Sequence, residues 1–467
     1  MTATITNKNT AKSAGKGARY SRHRILAAGR RTFTAHPYGA ASVRRVERAG
    51  QTNYALLRYY FGSKKGLFQA VAAELAAEHG GFLRPLLRRS LSCPAPEKGL
   101  PQFIDEFIDF GLDHPAAMSL IMQNIGEARH LAETDLAPET VGRALTGIAA
   151  EIAAALPHRP SPPANLARGI FAFAVIAAHF IGAEHFHAAC LGLTGRRDQY
   201  RQWVKQALIS VFQPFFSALT AAPPVEADVH LTIPDNMAGL MASVAPPEAA
   251  GNRKLTKGDR TRERILAAAE AVFTRRAYHT ASIRQIGREG GFDFTIIHHY
   301  FPTKEDLARA VSNRIFNDFF NASADWWRAF AAEYTVQPLR LRPAMNEYFA
   351  RLLDYYFEHP AAPAMLMQNI AQSAEAQVLP EINASVAFFT GILDRLRTIL
   401  PVSAAEETVR MWQHCLVTLI ISCVGAPGYP GRMLGHTPAA AGYRDEIRSV
   451  ILDTFYPGLR QMLVAEK

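Results

Sequence analysis

Cysteine is scarce: Cys93, Cys190, Cys415 and Cys423 are the four in 467 residues, with no CxxC pair and no zinc-ligand spacing. That excludes a disulfide framework and leaves the reduced, structural thiols of a cytoplasmic protein as the expectation. Long apolar runs are scarce too. Gly169–Ala183 is short for a bilayer and interrupted by His179, so a buried helix and no membrane partner are expected. The opening stretch MTATITNKNTAKSAGKGARYSR is polar and basic without an apolar segment, and a secretory signal is not expected. GxSxG, P-loop and HExxH motifs are missing, so neither an enzyme nor a cofactor is expected. His179, His185, His187 and Cys190 are dense, but no partner cluster has ligand spacing and nothing comparable surrounds Ser422, so no metal is expected either.

Alternating β-branched stretches are rare while alanine is abundant, which predicts an all-α fold. Apolar residues at 49% and charged residues at 20% describe a packed chain, long enough for two to four domains. Acidic residues are nearly missing from one place. Residues 1–72 hold fourteen Lys/Arg against Glu47 alone, and residues 253–312 hold twelve against seven acids. Those segments carry +13 and +5, which leaves −8 for the rest of a chain whose net charge is +10. Positive charge confined to two segments suits two phosphate-contacting surfaces; solubilising helix faces are the plainer reading.

Thr280–Leu307, TASIRQIGREGGFDFTIIHHYFPTKEDL, reads as two short helices across a glycine turn and a third opening at Thr303. Ser282 and Asp293 are good N-caps, Ile283 and Ile286 supply an apolar side, and Gly290-Gly291 supplies positive φ. Thr303 followed by Asp306 is a weak capping box. Two helices across a tight turn form a helix-turn-helix, whose second helix enters the major groove. Shifted by 240, the pattern returns: Tyr20–Ala72 against Arg260–Ser312 gives 20 identities in 53 gapless positions. The helical remainder repeats as well, His114-Pro115-Ala116-Ala117 against His359-Pro360-Ala361-Ala362 and Tyr200-Arg201 against Tyr443-Arg444. The chain is a duplication.

The residues R-x-R-IL-AA, then F, Y, S-x-R, G and YF-x-[ST]-K, resemble the DNA-binding domain of TetR-family transcriptional regulators in both copies. The resemblance is close over 53 residues of each half and loose beyond. It implies two helix-turn-helix domains, each followed by a helical ligand-sensing and dimerising domain. The boundaries expected are a basic disordered tail 1–18, domains 19–72 and 73–222, a linker 223–257, and domains 258–312 and 313–467. The tail reads equally as a minor-groove arm or an inert leader. The linker has Pro pairs near both ends and could extend to about 110 Å.

Carried over position by position, the resemblance implies DNA contact by Arg44, Tyr54, Ala55, Leu56, Arg58, Tyr59, Tyr60 and Lys64 in copy one. In copy two the positions are Arg284, Phe294, Thr295, Ile296, His298, His299, Tyr300 and Lys304. The chemistry fits: arginine takes phosphate or guanine, tyrosine donates to phosphate, and alanine or threonine suits a thymine methyl. Leu57, Phe61, Ile297 and Phe301 are assigned to the domain cores, and packing is the competing role for the tyrosines and histidines. Copy one departs at the turn, where Gln51 and Thr52 stand for Gly291 and Phe292. Phe107, Met118, Met122, Phe171 and Phe173, with Phe349, Met365, Met367 and Trp412, are candidates to line effector pockets, although such residues more often form core.

The family likeness implies a double-stranded DNA operator and a small apolar or amphipathic effector that releases a repressor. It also implies pairing of the halves within one chain across Leu193–Leu219 and Met433–Leu463, with a dimer of chains as the competing arrangement. The alternative function is an interaction or sensor protein with one working DNA-binding unit.

Overall fold

The computed structural model describes residues 6–92, 96–156, 163–220, 230–231, 256–276, 278, 280–334, 339–370 and 404–463. In the first half, α1 (Thr6–Ala35), α2 (Val43–Gly50) and α3 (Tyr54–Phe61) form a three-helix head. The sensor domain follows with α4 (Lys64–Leu91), α5 (Pro96–Asp113), α6 (Ala116–Asn124) and a 3-10 turn (Ile125–His130). It continues through α7 (Pro138–Ala155), α8 (Pro163–Gly182), α9 (Glu184–Cys190) and α10 (Arg197–Thr220). The second half repeats the plan with α11 (Lys257–Phe273), α12 (Ile283–Gly290), α13 (Phe294–Tyr300) and α14 (Lys304–Tyr334). Its sensor helices are α15 (Leu341–Glu358), α16 (Ala361–Ile370), α17 (Glu406–Gly425), α18 (Gly428–Met433) and α19 (Ala441–Leu463). Among the described residues the one departure from an all-α fold is a two-residue antiparallel pairing, His230–Leu231 with Leu339–Arg340. The rest of the expected linker, up to Leu255, lies outside the described residues.

Two boundaries differ from expectation. α1 begins at Thr6, so helix covers most of the segment read as a tail; alanine and lysine favour that backbone and no proline interrupts it. The head also does not end at 72, because α4 runs unbroken from Lys64 into the sensor domain, and α14 does the same across 312.

Each head closes over residues that recur 240 positions apart. Ile25, Phe33, Val46, Leu57, Leu67 and Val71 are buried in the first, Ile265, Phe273, Ile286, Ile297, Leu307 and Val311 in the second. The first head is tied to its sensor domain where the Tyr38 N–H donates to Asn124 Oδ1 at 2.9 Å.

The halves meet in a four-helix seam, α8 and α10 against α17 and α19. The expected segments named α10 and α19 but missed α8 and α17. Their signal was present: the apolar run at Gly169–Ala183 leaves α8 no polar face, as a helix buried on all sides requires. Ala164–Gly182 is long and apolar enough to cross a membrane, yet here it packs inside this seam.

Within the seam the repeat offset is 243. Tyr200 donates its hydroxyl to the Phe180 carbonyl at 2.7 Å, and Tyr443 donates to Cys423 at 2.8 Å. Packing has diverged around that common frame. A Cβ on Gly169 would overlap the Phe215 ring, whereas the equivalent positions hold Trp412 and Gly458, large and small exchanged. Three histidines are drawn in: the Ser422 hydroxyl is hydrogen-bonded to His179 Nε2, and His187 Nδ1 lies 3.0 Å from His414 Nε2. Burial, with His414 adding to it, pushes His179 down to about 3 and His187 well below its ordinary range.

Tyr443→Phe should leave a buried carbonyl without its donor and cost about 1–3 kcal/mol in urea unfolding. His179 and His187 stay neutral when folded and take protons near pH 6.5 when unfolded. Their contribution is therefore complete above about pH 6.5 and falls as pH drops towards their folded values. Urea midpoints should fall from pH 7.5 to pH 5, and less steeply in His179→Asn.

Candidate nucleic-acid interface

Both reading heads begin with a serine cap. Ser42 Oγ accepts from the Arg45 N–H at 3.2 Å. Ser282 Oγ accepts from Gln285 N–H at 3.3 Å while Gln285 Oε1 accepts from Ser282 N–H at 2.9 Å, a full capping box. The turn that follows needs a left-handed residue. Gly291 supplies it at φ 69°, ψ 34°. Gln51 adopts the same region at φ 45°, ψ 49°, the one non-glycine to do so among the described residues. That conformation costs about 1 kcal/mol without glycine. Arg24 offsets it by donating to the carbonyls of Gly50 at 2.8 Å and Gln51 at 3.0 Å. In the second head the equivalent Arg264 instead lies over the Phe292 ring, 5.0 Å from its centroid. The departure at Gln51 and Thr52 thus changes what holds the turn and leaves the turn itself intact.

Asn53 Oδ1 caps α3 by accepting from Leu56 N–H at 2.9 Å, and Asp293 Oδ1 caps α13 from Thr295 N–H at 2.8 Å. The bonds from Thr295 hold the Asp293 carboxyl below its usual range. Each short helix buries one apolar side chain, Leu57 or Ile297, with Phe301 also buried and Phe61 half-buried under Arg22. The opposite face is open. Tyr54, Ala55, Leu56, Arg58 and Tyr59 are exposed, Tyr59 to 79%, as are Phe294 at 52%, Thr295, Ile296 and His299. Arg44 and Arg284 are exposed beside them. Aromatic and aliphatic side chains standing in water next to arginines mark a surface shaped for a partner.

Other assigned positions are partly committed. Tyr60 and Tyr300 are half-buried, set edge-on to Tyr59 and His299. His298 Nδ1 lies 3.0 Å from the Pro302 carbonyl, which makes it the donor. Lys64 donates to the Tyr38 carbonyl and sits 4.1 Å from the Tyr38 ring centroid; Lys304 sits 4.2 Å from that of Tyr278. Burial lowers the pKa of both lysines. Tyr38 and Tyr278 are therefore the residues that aim them, a role the sequence reading missed although the two tyrosines align at the repeat offset.

The expected pocket residues lie in the packed interior. Phe107, Met122, Phe171, Phe349, Met365, Met367 and Trp412 are buried in the core, with Met118 and Phe173 packed against it. Phe107 stacks among Phe103, Phe173 and His79, and the Trp412 indole donates to the Phe455 carbonyl at 3.2 Å. A cavity of about 940 Å³ lies elsewhere, between the 3-10 turn, the second head and α17–α18. Arg129, Arg275, Arg276, Arg288 and Arg432 line it against Glu127 and Glu289. His185 is exposed, while His179 and His187 turn into the seam with their ring centroids 6.0 Å apart.

Gln51→Gly should remove the strain in the first turn and raise stability by about 1 kcal/mol in denaturant unfolding. Arg24→Ala should lower it, and by less in the Gln51→Gly background.

The family model described as bacterial regulatory proteins, tetR family, matches residues 25–71 and again 265–311. The chain is 29% identical over 155 residues to the HTH-type transcriptional repressor NicS of Pseudomonas putida, covering 33% of this chain and 68% of that one. It is 42% identical over 65 residues to the HTH-type transcriptional repressor AcnR of Corynebacterium glutamicum, 14% of this chain and 35% of that one. The two matched segments, each with a capped turn and an outward-facing second helix, are DNA-binding domains of the bacterial tetR regulatory family, carried here as a tandem duplication.

Proposed function

We propose that the chain is a transcriptional repressor that grips one double-stranded operator with both heads and lets go when a small molecule binds. The observation that carries this is the open face of α3 and α13: Tyr54, Leu56 and Tyr59, and Phe294 and Ile296, stand in water at equivalent positions beside Arg44 and Arg284. The repressors NicS and AcnR, named for that activity, support the sign of regulation. The reading with one working head rests on Gln51, and the shared left-handed turn favours two working heads instead. The protein acts in the cytoplasm, where its operator is.

The effector fits best in the junction cavity, because Gln285, Arg288 and Glu289 of α12 form one wall and residues of both sensor domains form the others. Filling it would favour one placement of the second head over another, as differential affinity requires. Five arginines against two glutamates favour an acidic molecule over the apolar one suggested by the core residues.

Arg44→Ala and Arg284→Ala should each weaken operator binding about tenfold to a hundredfold at fixed salt and flatten its salt dependence by roughly one ion. No effect from either would overturn the assignment. The two faces differ, Tyr54-Ala55 and Arg58-Tyr59 against Phe294-Thr295 and His298-His299. Binding-site selection should return unequal half-sites, and a perfect palindrome alone would count against two independent readers.

A further inference from the structure

The seam between the halves is not symmetric in charge. On one side Arg168 of α8 donates through Nε and Nη2 to both carboxylate oxygens of Glu446, at 2.9 and 3.0 Å. Its Nη1 donates to Asp453 Oδ2 at 2.9 Å, a carboxylate whose side chain is 10% exposed. This is the planar, bidentate geometry in which arginine binds a carboxylate most strongly. Hydrogen bonds with both neighbours raise the Arg168 pKa, Glu446 first.

The offset of 243, fixed by the Tyr200 and Tyr443 hydroxyl bonds, identifies what stands on the other side of the pseudo-two-fold axis. Arg168 corresponds to Met411, Glu446 to Trp203 and Asp453 to Ser210. Trp203 lies along α17 there, its indole donating to Glu407 at 3.1 Å and its ring 5.1 Å from His414. Met411, between those two positions in sequence, is a buried apolar residue where the first side has the arginine of an ion pair. The axis itself shows the same divergence. His179 and Ser422 are equivalent residues, and they bond to each other.

Self-pairing would scramble these matches. Two first halves would set Arg168 against Trp203 twice, and His179 against His179. Two second halves would set Glu446 against Met411 twice, leaving Asp453, among the described residues, with Arg342 of its own half, 3.7 Å away. A partly buried charge stripped of its partner is a strong penalty, and selection against wrong partners commonly works through such penalties.

We propose that the α8–α10 face of the first half accepts the α17–α19 face of the second half of the same chain and rejects a copy of itself. Duplication has turned a self-complementary surface into two different, mutually fitting ones. The proposal rests on pairing of the halves and not on DNA binding, so mass measurements test it apart from operator assays.

The test uses the full chain with a protease site placed in the linker between 232 and 255. Cleaved, ¹⁵N-labelled and unlabelled samples are mixed in mild urea and held until label has scrambled through the 1:1 pair. Native mass spectrometry should then show the pair of unlike halves in at least about a hundredfold excess over either like pair. Comparable amounts of like pairs would overturn the proposal. Arg168→Met should weaken the cleaved pair, and Arg168→Met with Glu446→Trp should restore it by repeating the apolar contact of the other side. That double variant should also admit like pairs. A double variant that stays as selective as the native chain would likewise overturn the charge argument, and the native measurement decides the proposal if a variant fails to fold.

Discussion

Neither half can leave its seam helices in water. α8 is apolar on nearly every side, and α17 buries a continuous run from Leu419 to Val424. Burying those faces against each other is the hydrophobic term on which the arrangement rests. A helix without a polar face must be enclosed, and one sensor domain alone offers too few neighbours to enclose it. The opposite half supplies them. Both heads are then suspended from a common bundle, and linker length does not enter into where they sit.

On that common frame the two copies solve equal problems with unequal chemistry. The reading turn is left-handed in both, held by hydrogen bonds from the Arg24 guanidinium to main-chain carbonyls in one and by glycine with an arginine–phenylalanine stack in the other. Bulk is traded within each half, Gly169 with Phe215 against Trp412 with Gly458. A homodimer cannot drift this way, since each substitution appears on both sides of its axis. A fused pair can, and every such divergence makes the halves less interchangeable.

Much of this was legible in the residues. The repeat, the caps at Ser42, Ser282 and Asp293, and the inward Leu57 and Ile297 followed from spacing and local chemistry, which act within a turn or two of helix. What escaped depended on distant neighbours. Met122 and Met367 look alike as pocket wall or core until the helices opposite are known, and both prove to be core. Lys64 and Lys304 carry an implied DNA contact, yet each is set on a tyrosine 26 positions upstream, a pairing that no periodicity encodes. α8 was noticed as an apolar run, but its place in the seam is a property of two chain halves together.

The continuous helices α4 and α14 act as beams, and the two beams are not equally stiff. α4 carries Gly80, Gly81 and Pro85 along its sensor portion, the residues at which long helices bend. α14 contains neither glycine nor proline from Lys304 to Tyr334. A displacement deep in the second half is carried to its groove-reading end as leverage, whereas in the first half part of it is absorbed by flexure on the way. One end of this molecule is built to steer, and the other to hold on.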